Sequence, residues 1–550
     1  MLGGSHPAML DPGDAHPNIP TSQPGGRWAD LAIVLGVWAA AVALIHPRGD
    51  FPLLDDWDFA IATWNFARTG HFHFTPFTAV SLRAMVLWGA AWTRLFGESF
   101  EVLRASTLAL AAITIVVIHE IFRRAEIPRI ARIVGTLAFA FHPLFLWSSC
   151  TYMTEVPFVC ASAVAFLLIW RGVANENAAL IALGCCAAMV SCFIRQTGVI
   201  NIVAPLMVVL FVRRRFAPIF VAAGAVIALV FLVRPEWLSG SPAEFASHYK
   251  VWHETSFRVP DMITLADHYG VFNIQNAGLF FLPLVAPLIL LRRKWQELAI
   301  GIFLLFRVQY LLNLGIAMPY FAFRSQEDIL QGNLFIDLGL GPPTLIDVWT
   351  LQRAYPFHLT HAGNLIVTYL SVIAGALLVA HVFKRSSLLS LMAVTLALVG
   401  TAALIGSGFY SDRYSLDSAW SLGIALPLIV PWEKRAARTI AVIVLLGVAI
   451  FGTLSVREYF AWNRARWDAY NSLRARGVPV TDIDGGSEPT NLYEVSHMNR
   501  DQARKRTMFR PPRTYGITFG PLPGHVVMAR FPFQGWFGLH RGNVLIVKRQ

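Results

Sequence analysis

The sequence predicts an all-α protein that crosses a membrane many times, and three observations lead to this prediction. Hydrophobic residues make up 55% of the 550-residue chain and charged residues only 14%, against about 25% in soluble domains. The mean hydropathy is +0.53. Apolar runs long enough to cross about 30 Å of hydrocarbon recur along the chain. These features exclude a soluble enzyme, a disordered scaffold and a nucleic-acid-binding module, although the formal net charge is +12.

About thirteen apolar runs have the length and composition of membrane spans. Residues 1–27 are polar and rich in Pro and Gly, which is typical of a disordered cytoplasmic tail before an uncleaved first span. Residues 28–455 therefore form the predicted membrane domain, and residues 456–550 form a C-terminal domain. The runs lie near residues 28–46, 102–122, 131–147, 156–171, 177–194, 197–212, 217–233, 275–291, 297–315, 362–383, 387–407, 417–431 and 438–455.

Residues 76–97 are apolar but contain Arg83 and Arg94, with Trp88 and Trp92 between them. This composition favours a helix at the membrane interface over a span. If the segment does not cross, the basic connectors all lie on the side of the N-terminus, which the positive-inside rule assigns to the cytoplasm. The loop of residues 47–101 and the tail are then exoplasmic. The basic connectors are Arg123, Arg124, Arg129 and Arg132; Arg171; Arg213 to Arg215; Arg292 to Lys294; Lys384 and Arg385; and Lys434, Arg435 and Arg438.

The tail from residue 456 contains 15 Lys and Arg against 7 Asp and Glu. A helical stretch over residues 462–476 ends before Gly477, and the alternating runs VPVTDID, HVVMARF and NVLIVKR indicate short strands. We therefore predict a small α/β domain. Its basic surface is either simply solvated or a contact face for anionic headgroups or an anionic glycan.

Three carboxylates mark the first exoplasmic loop, FPLLDDWDFAIATWNFARTGHFHF. Asp55, Asp56 and Asp58 stand at the start of an amphipathic helix predicted over residues 57–68 and closed by Gly70. One interpretation is helix capping, because carboxylates are favoured at a helix N-terminus. One cap is enough for one helix, however, so the alternative is a chemical role for at least one of them.

An acidic pair in the first exoplasmic loop, flanked by interfacial helices and followed by about a dozen spans and an exoplasmic C-terminal domain, resembles the GT-C glycosyltransferases. Within this superfamily, the sequence resembles the protein mannosyltransferases and the lipid A aminoarabinose transferases. Segments LFGESFEVLRASTLALAAITIVVIHEIFRR, YMTEVPF and FYSDRYSLDSAW are similar to motifs of this superfamily, and RARWDAYNSLRARGVPVTDIDGGSE is similar to a domain of its bacterial members. The first loop has Asp-Asp where many members have Asp-Glu, so the resemblance implies no particular acceptor.

The resemblance implies a GT-C fold in a bacterial inner (plasma) membrane and transfer of a sugar from a polyprenyl phosphate to an acceptor hydroxyl. Such a transfer requires a base for the acceptor proton and a cation for the developing phosphate charge. By resemblance Asp55 is the base, acting in one inverting displacement, and Asp56 supports it or helps to bind a metal.

Two arginines are candidates for binding the phosphate, Arg413 first and Arg195 second. Both lie at predicted exoplasmic ends of spans, where an arginine is costly unless it meets an anion. The alternative for Arg413 is a salt bridge to Asp412, Asp417 or another loop carboxylate. The alternative for Arg195 is snorkelling at a helix end.

Two further residues complete the predicted substrate site. Tyr414 belongs to the Arg-Tyr signature of the resemblance, and Glu155 of YMTEVPF either contacts substrate or caps its span. The sequence indicates no certain cofactor. A divalent metal could be held by Asp56 or Glu155 with His248 and His253, or these histidines could simply be solvated, since no HxxxH spacing on a helix supports a metal site.

The leading interpretation is a polyprenyl-phosphate-sugar-dependent glycosyltransferase with a lipid, glycan or protein acceptor. No Walker A loop and no GxGxxG after a strand is present, so a nucleotide-sugar donor is not expected. The alternatives are a transporter or flippase of lipid-linked sugars and a noncatalytic scaffold. Transport needs charged groups near mid-membrane, and Arg307 is the main one within the predicted spans.

Overall fold

A computed structural model describes residues 26–240, 259–291, 294–313, 333–336, 339–345, 347–348, 360–383, 387–406, 410–494 and 513–550, with residues 318, 496 and 498. Helices dominate this part of the chain. In chain order they are α1 Gly26–Ile45, α2 Asp56–Thr69, α3 Arg83–Phe96, α4 Phe100–Arg124, α5 Arg129–Ala140, α6 Pro143–Ser149, α7 Glu155–Ala174, α8 Ala178–Cys192, α9 Ile200–Val212, α10 Ala217–Val233, α11 Val259–Phe280, α12 Leu282–Val285, α13 Lys294–Asn313, α14 His361–Val382, α15 Leu388–Gly406, α16 Asp412–Ala419, α17 Leu422–Ala425, α18 Arg435–Ala475 and α19 Ser487–Tyr493. The strands are β1 Phe335–Ile336, β2 Gly339–Leu340, β3 Ile483–Asp484, β4 Tyr515–Thr518, β5 His525–Gly535 and β6 His540–Arg549.

Within the described residues, eight helices are long and apolar enough to cross a membrane, or ten if each of two bent pairs is one span. Helices α5 and α6 meet at 62°, and Ala266–Phe280 meets Leu282–Leu291 at 77°. Two apolar segments, Ala178–Cys192 and Gln196–Val212, are shorter than a span. The run predicted near residues 417–431 is divided among short helices. The multi-pass helical architecture is thus confirmed, whereas the count of about thirteen spans is not.

Two of the basic connectors form ion pairs with carboxylates near helix ends. Asp30 in α1 accepts hydrogen bonds from Arg129 (2.6 Å) and Arg132 (2.5 Å) at the start of α5. Glu176, between α7 and α8, pairs with Arg213 and Arg215, between α9 and α10. These contacts agree with the predicted parity, because each of them joins segments that were assigned to the same side of the membrane.

The first loop folds into two helices that cannot span. Helices α2 and α3 have 14 residues each, about 21 Å at 1.5 Å per residue, which is less than the hydrocarbon thickness. Gly70 ends α2 with φ +74°, close to the predicted end of this helix. At the start of α3, the Leu82 N–H bonds to the Ile194 carbonyl at 3.1 Å. The first loop is therefore fastened to the end of α8, beside Arg195.

Helix α18 is 41 residues long, about 61 Å, or twice the hydrocarbon thickness. The sequence predicted a span over residues 438–455 and a separate helix over residues 462–476. They are one helix, because no Gly or Pro stands between Gly452 and Gly477 to end it. The C-terminal half of α18, from about residue 456, passes the end of α1, where Arg464 donates to the His46 carbonyl at 3.1 Å.

A four-stranded sheet packs against the C-terminal half of α18, and this confirms the prediction of a small C-terminal domain with strands. The strand order is β3-β4-β6-β5, with β3 parallel to β4 and the other pairs antiparallel. The Trp462 ring of α18 lies 5.2 Å from the Phe519 ring, edge to face. Strand β4, YGIT, was not predicted, because four residues that include Gly516 give too short a pattern.

Candidate active site

Asp55 directly precedes α2 but does not cap it. Its side chain makes no capping hydrogen bond. Its Oδ2 instead accepts a hydrogen bond of 3.0 Å from Nη2 of Arg413, and 47% of the Asp55 side chain is exposed. The first carboxylate of the loop is therefore held by a residue 358 positions away and stays open to solvent, so helix capping does not explain it.

Arg413 lies at the start of α16 and is nearly buried, with 10% of its side chain exposed. Besides Asp55, its Nε lies 3.8 Å from Oε1 of Glu155. Its guanidinium carbon stands 5.1 Å from the ring centre of Tyr414. Nη1 is buried and has no hydrogen-bond partner among the described residues. The described residues therefore leave at least one N–H nitrogen of this guanidinium, Nη1, without an acceptor.

Asp412 is not the partner of Arg413, although the two are adjacent. Its carboxylate oxygens accept the N–H groups of Leu334 and Phe335, each at 2.7 Å. Its own N–H donates to Asn333 at 2.8 Å. Burial raises the pKa of Asp412 to about 7. Asp412 thus fixes the backbone at β1, and the predicted salt bridge of Arg413 is formed with a loop carboxylate, Asp55.

Arg195 follows α8 and does not snorkel, because only 9% of its side chain is exposed. Its Nη1 lies 2.7 Å from Oδ2 of Asp417 and 3.4 Å from Oε1 of Glu155. Its guanidinium carbon lies 4.8 Å from the ring centre of Tyr414. The Tyr414 ring is therefore in cation–π contact with both arginines.

These contacts define an ion-pair cluster of three carboxylates, two guanidiniums and one phenol. Several buried polar atoms in it have no hydrogen-bond partner among the described residues: Oε2 of Glu155, Oδ1 of Asp417 and Nη1 of Arg413. Buried charges are normally paired and hydrogen-bonded, so such atoms in a half-open site indicate a place for a polar ligand. The cluster consists of Asp55, Glu155, Arg195, Arg413, Tyr414 and Asp417.

The sequence predicted five of the six cluster residues, and Asp417 is the one whose place it missed. Asp417 was considered only as a partner of Arg413, whereas the structure pairs it with Arg195. The available signal was a carboxylate at the edge of an apolar run, which is costly there unless it is paired.

Asp56 and Asp58 support the loop that carries Asp55. Asp56 is fully buried, its Oδ1 accepts the Leu53 N–H at 2.5 Å, and burial raises its pKa to about 8. Asp58 accepts hydrogen bonds from Thr75 (2.5 Å) and Thr78 (2.9 Å), and burial raises its pKa to about 7. Both oxygens of Asp58 are therefore engaged inside the first loop, whereas Asp56 is held through Oδ1 and its buried Oδ2 has no partner among the described residues.

A metal site is not formed by the residues that the structure describes, since no three His, Cys, Asp or Glu side chains among them are grouped to hold an ion. Asp56 bonds to Leu53, while Glu155 pairs with Arg195. His248 and His253, the histidines predicted as candidate ligands, lie outside the described residues. Their part in a metal site stays a prediction.

Comparison with known proteins supports the resemblance. Residues 84–237 match the model of the dolichyl-phosphate-mannose-protein mannosyltransferase family. This segment runs from α3 through α10 and includes Glu155 and Arg195. The match confirms, over this part of the chain, the similarity to GT-C glycosyltransferases that the motifs predicted. None of the curated proteins matches the sequence.

Three solved structures are similar to the chain at low identity. ArnT from Cupriavidus metallidurans bound to undecaprenyl phosphate has a TM-score of 0.40 and 12% identity, covering 96% of this chain and 98% of that one. Its apo state has a TM-score of 0.39 and 14% identity, with 95% and 98% covered. Arabinosyltransferase EmbB from Mycobacterium smegmatis has a TM-score of 0.34 and 15% identity, with 84% of this chain and 44% of EmbB covered.

Proposed function

We propose that this protein is a membrane glycosyltransferase that moves a sugar from a polyprenyl-phosphate carrier to an acceptor hydroxyl, with inversion, at the exoplasmic face. The observation that carries the proposal is the 3.0 Å contact between half-exposed Asp55 and Arg413, whose Nη1 has no partner among the described residues. One site thus holds a candidate base and a candidate phosphate ligand. The family-model match over residues 84–237 supports the reaction class.

The reaction is a single displacement. The acceptor oxygen forms a bond to the anomeric carbon while the bond from that carbon to the phosphate oxygen breaks, and the configuration inverts. The hydroxyl proton passes to the Asp55 carboxylate. The electron pair of the broken bond leaves with the polyprenyl phosphate, whose additional negative charge is neutralised by Arg413 and Arg195.

Binding of the donor also frees the base. Without donor, Asp55 occupies Nη2 of Arg413. A phosphate can bind two guanidinium nitrogens at once, and such bidentate pairs are among the strongest charged hydrogen bonds in proteins. When the donor phosphate takes Nη1 and Nη2, Asp55 is released toward the acceptor hydroxyl, so the base acts only when a donor is present.

Two observations support this assignment over a transporter and over a cytoplasmic site. Arg307 is the main charge within the predicted spans, and it is already neutralised by Asp267, with Nε 2.7 Å from Oδ1. It therefore needs no transported anion as its partner. Glu155 opens α7 and Arg195 follows α8, at the helix ends opposite to the basic connector that contains Glu176. The positive-inside rule then assigns the cluster to the exoplasmic face of a bacterial plasma membrane.

The test is sugar transfer by the purified protein in detergent, with a panel of polyprenyl-phosphate-linked hexoses, pentoses and aminopentoses as donors and no nucleotide. We expect transfer from at least one donor, giving a product of inverted anomeric configuration by NMR. Efficient transfer from a soluble nucleotide sugar without lipid carrier would contradict the proposal. Movement of a lipid-linked sugar across liposomes without transfer would favour the transporter.

A further inference from the structure

A fully buried carboxylate of the C-terminal domain contacts the first loop next to Asp55. Glu488, the second residue of α19, accepts the N–H of Leu54 on its Oε1 at 3.1 Å. The two residues are 434 positions apart, and Leu54 directly precedes Asp55. A side chain of the tail therefore contacts the backbone next to the proposed base.

The backbone that Glu488 holds has a conformation that leucine rarely adopts. Leu54 has φ +56°, in the left-handed region, where a Cβ clashes with the backbone. Such a conformation persists only when surrounding contacts maintain it. The neighbouring Leu53 N–H is held by Asp56 at 2.5 Å. The consecutive N–H groups of Leu53 and Leu54 are thus each bound to a buried carboxyl group. The backbone conformation that these bonds fix sets the direction in which the Asp55 side chain points.

Glu488 is itself fixed and charged. Its Oε2 accepts hydrogen bonds from Arg466 (2.5 Å), Thr344 (2.6 Å) and Ser487 (3.0 Å). Burial alone would raise the pKa of Glu488, but the Arg466 guanidinium and the hydrogen bonds outweigh it and lower the pKa. An ionised carboxylate only accepts hydrogen bonds, so Oε1 is a dedicated acceptor for the Leu54 N–H.

We infer that Glu488 is a positioning residue, through which the C-terminal domain keeps Leu54 in its left-handed conformation and aims Asp55 at the ion-pair cluster. This inference rests on the proposed function, in which Asp55 is the base. It gives the C-terminal domain a part in catalysis that acts through the backbone of the first loop.

The substitution Glu488→Gln tests the inference, because a glutamine side chain has only one acceptor oxygen, whereas the Leu54 N–H and the Arg466 guanidinium bind different oxygens of Glu488. The charged Arg466 takes this oxygen, since charge-assisted hydrogen bonds are the stronger ones, and Leu54 loses its partner. We expect kcat to fall roughly 10- to 100-fold through misplacement of the base, with KM for the donor nearly unchanged. Hydrogen–deuterium exchange of a peptide spanning residues 51–58 should become faster.

A second substitution covers the case that Glu488→Gln does not fold. Glu488→Asp keeps the charge that Arg466 needs but withdraws the carboxylate from Leu54, so it should show the same kcat loss and the same faster exchange. The matched control is Thr344→Val, which removes the hydrogen bond to Oε2 and the one that the Thr344 hydroxyl accepts from Arg466, and leaves the Leu54 contact in place. This control should lower thermal stability while kcat and exchange of the 51–58 peptide stay as in the wild type.

The inference fails if both Glu488 variants exchange like the wild type, or if their kcat falls only in proportion to the folded fraction. It also fails if Thr344→Val reproduces the kcat loss. The exchange measurement needs no sugar transfer, so an inactive wild type would overturn the proposed function while the Leu54–Glu488 contact is still judged on its own result.

Discussion

At the scale of single residues, the proposed base can be separated from a structural carboxylate because Asp55 caps nothing. Asp55→Asn keeps the shape of the side chain and can still accept from Arg413, but an amide takes up no proton. We expect sugar transfer to fall by roughly 100-fold or more, with expression and melting temperature close to those of the wild type. Transfer rates and thermal unfolding of the purified variant measure both effects.

The matched control is Asp58→Asn, three residues further along the chain in the first turn of α2. Asp58 is buried and accepts from two threonines, so its amide variant should lose thermal stability and much less activity per folded molecule. Equal losses of activity and stability at Asp55 and Asp58 would mean that both carboxylates serve the fold, and the assignment of Asp55 would be wrong.

Five cluster residues could be identified from the sequence, because each is a charged or aromatic residue at the end of an apolar run or in a resembling motif. Their partners could not be identified. Arg195 pairs with Asp417 at 2.7 Å, a contact between two helix ends whose packing no local pattern encodes. Glu488 was missed for the same reason, since its 434-residue separation from Leu54 leaves no periodic signal.

At the scale of elements, the start of α2 makes the stability of the protein depend on pH. Burial raises the pKa of Asp56 to about 8, although the Arg104 charge opposes the shift. An aspartate in the unfolded chain has a pKa of about 3.9. The folded state therefore binds this proton more tightly. The stabilisation that this bound proton contributes is complete below the unfolded pKa and is lost as the pH rises through the folded pKa, so the loss falls between about pH 4 and pH 8.

We therefore expect the melting temperature of the wild type to fall over this range, and Asp56→Asn to reduce the slope, because its amide imitates the protonated acid at every pH. Part of the slope should remain, since burial also raises the pKa of Asp58 and Asp412 to about 7. Asp468→Asn, at an exposed position on α18, is the control and should keep the slope of the wild type. A variant at Asp56 with an unchanged slope would show that this carboxylate is ionised in the fold.

Helix α18 shows which elements the sequence predicts and which it divides wrongly. The apolar run at residues 438–455 and the amphipathic stretch at 462–476 have different compositions, so they were predicted as separate elements. Backbone hydrogen bonding continues through this change, because a change of environment alone does not end a helix and no helix-breaking Gly or Pro stands between Gly452 and Gly477. The continuous helix is what carries the sheet, and with it Glu488, to the first loop.

At the scale of the whole molecule, two sets of ion pairs lie at opposite helix ends. The basic connectors pair with Asp30 and Glu176, and the ion-pair cluster lies at the other ends of α7 and α8. The sequence predicted this division from charge parity alone, because the positive-inside rule depends only on the order of the spans. Labelling of single cysteines tests which end faces the cytoplasm.

Single cysteines should decide the orientation. Among the native cysteines only Cys186 is exposed, and the other four are buried, so Cys186→Ser gives a background of low reactivity. In that background, Arg476→Cys should react with a membrane-impermeant maleimide in intact spheroplasts. Arg124→Cys and Arg214→Cys, both at exposed positions among the basic connectors, should react only after the membrane is permeabilised.

Permeabilised spheroplasts control for accessibility, because all three cysteines must react there if their surroundings are as exposed as the structure shows. Labelling of Arg214→Cys from outside, with Arg476→Cys protected, would reverse the orientation of every helix. The ion-pair cluster would then face the cytoplasm, where nucleotide sugars are abundant, and the proposed lipid-linked donor would lose its topological support. The labelling pattern thus bears on the donor class as well as on the topology, because a bilayer-borne donor is expected only if Asp55 lies outside, where nucleotide sugars are scarce.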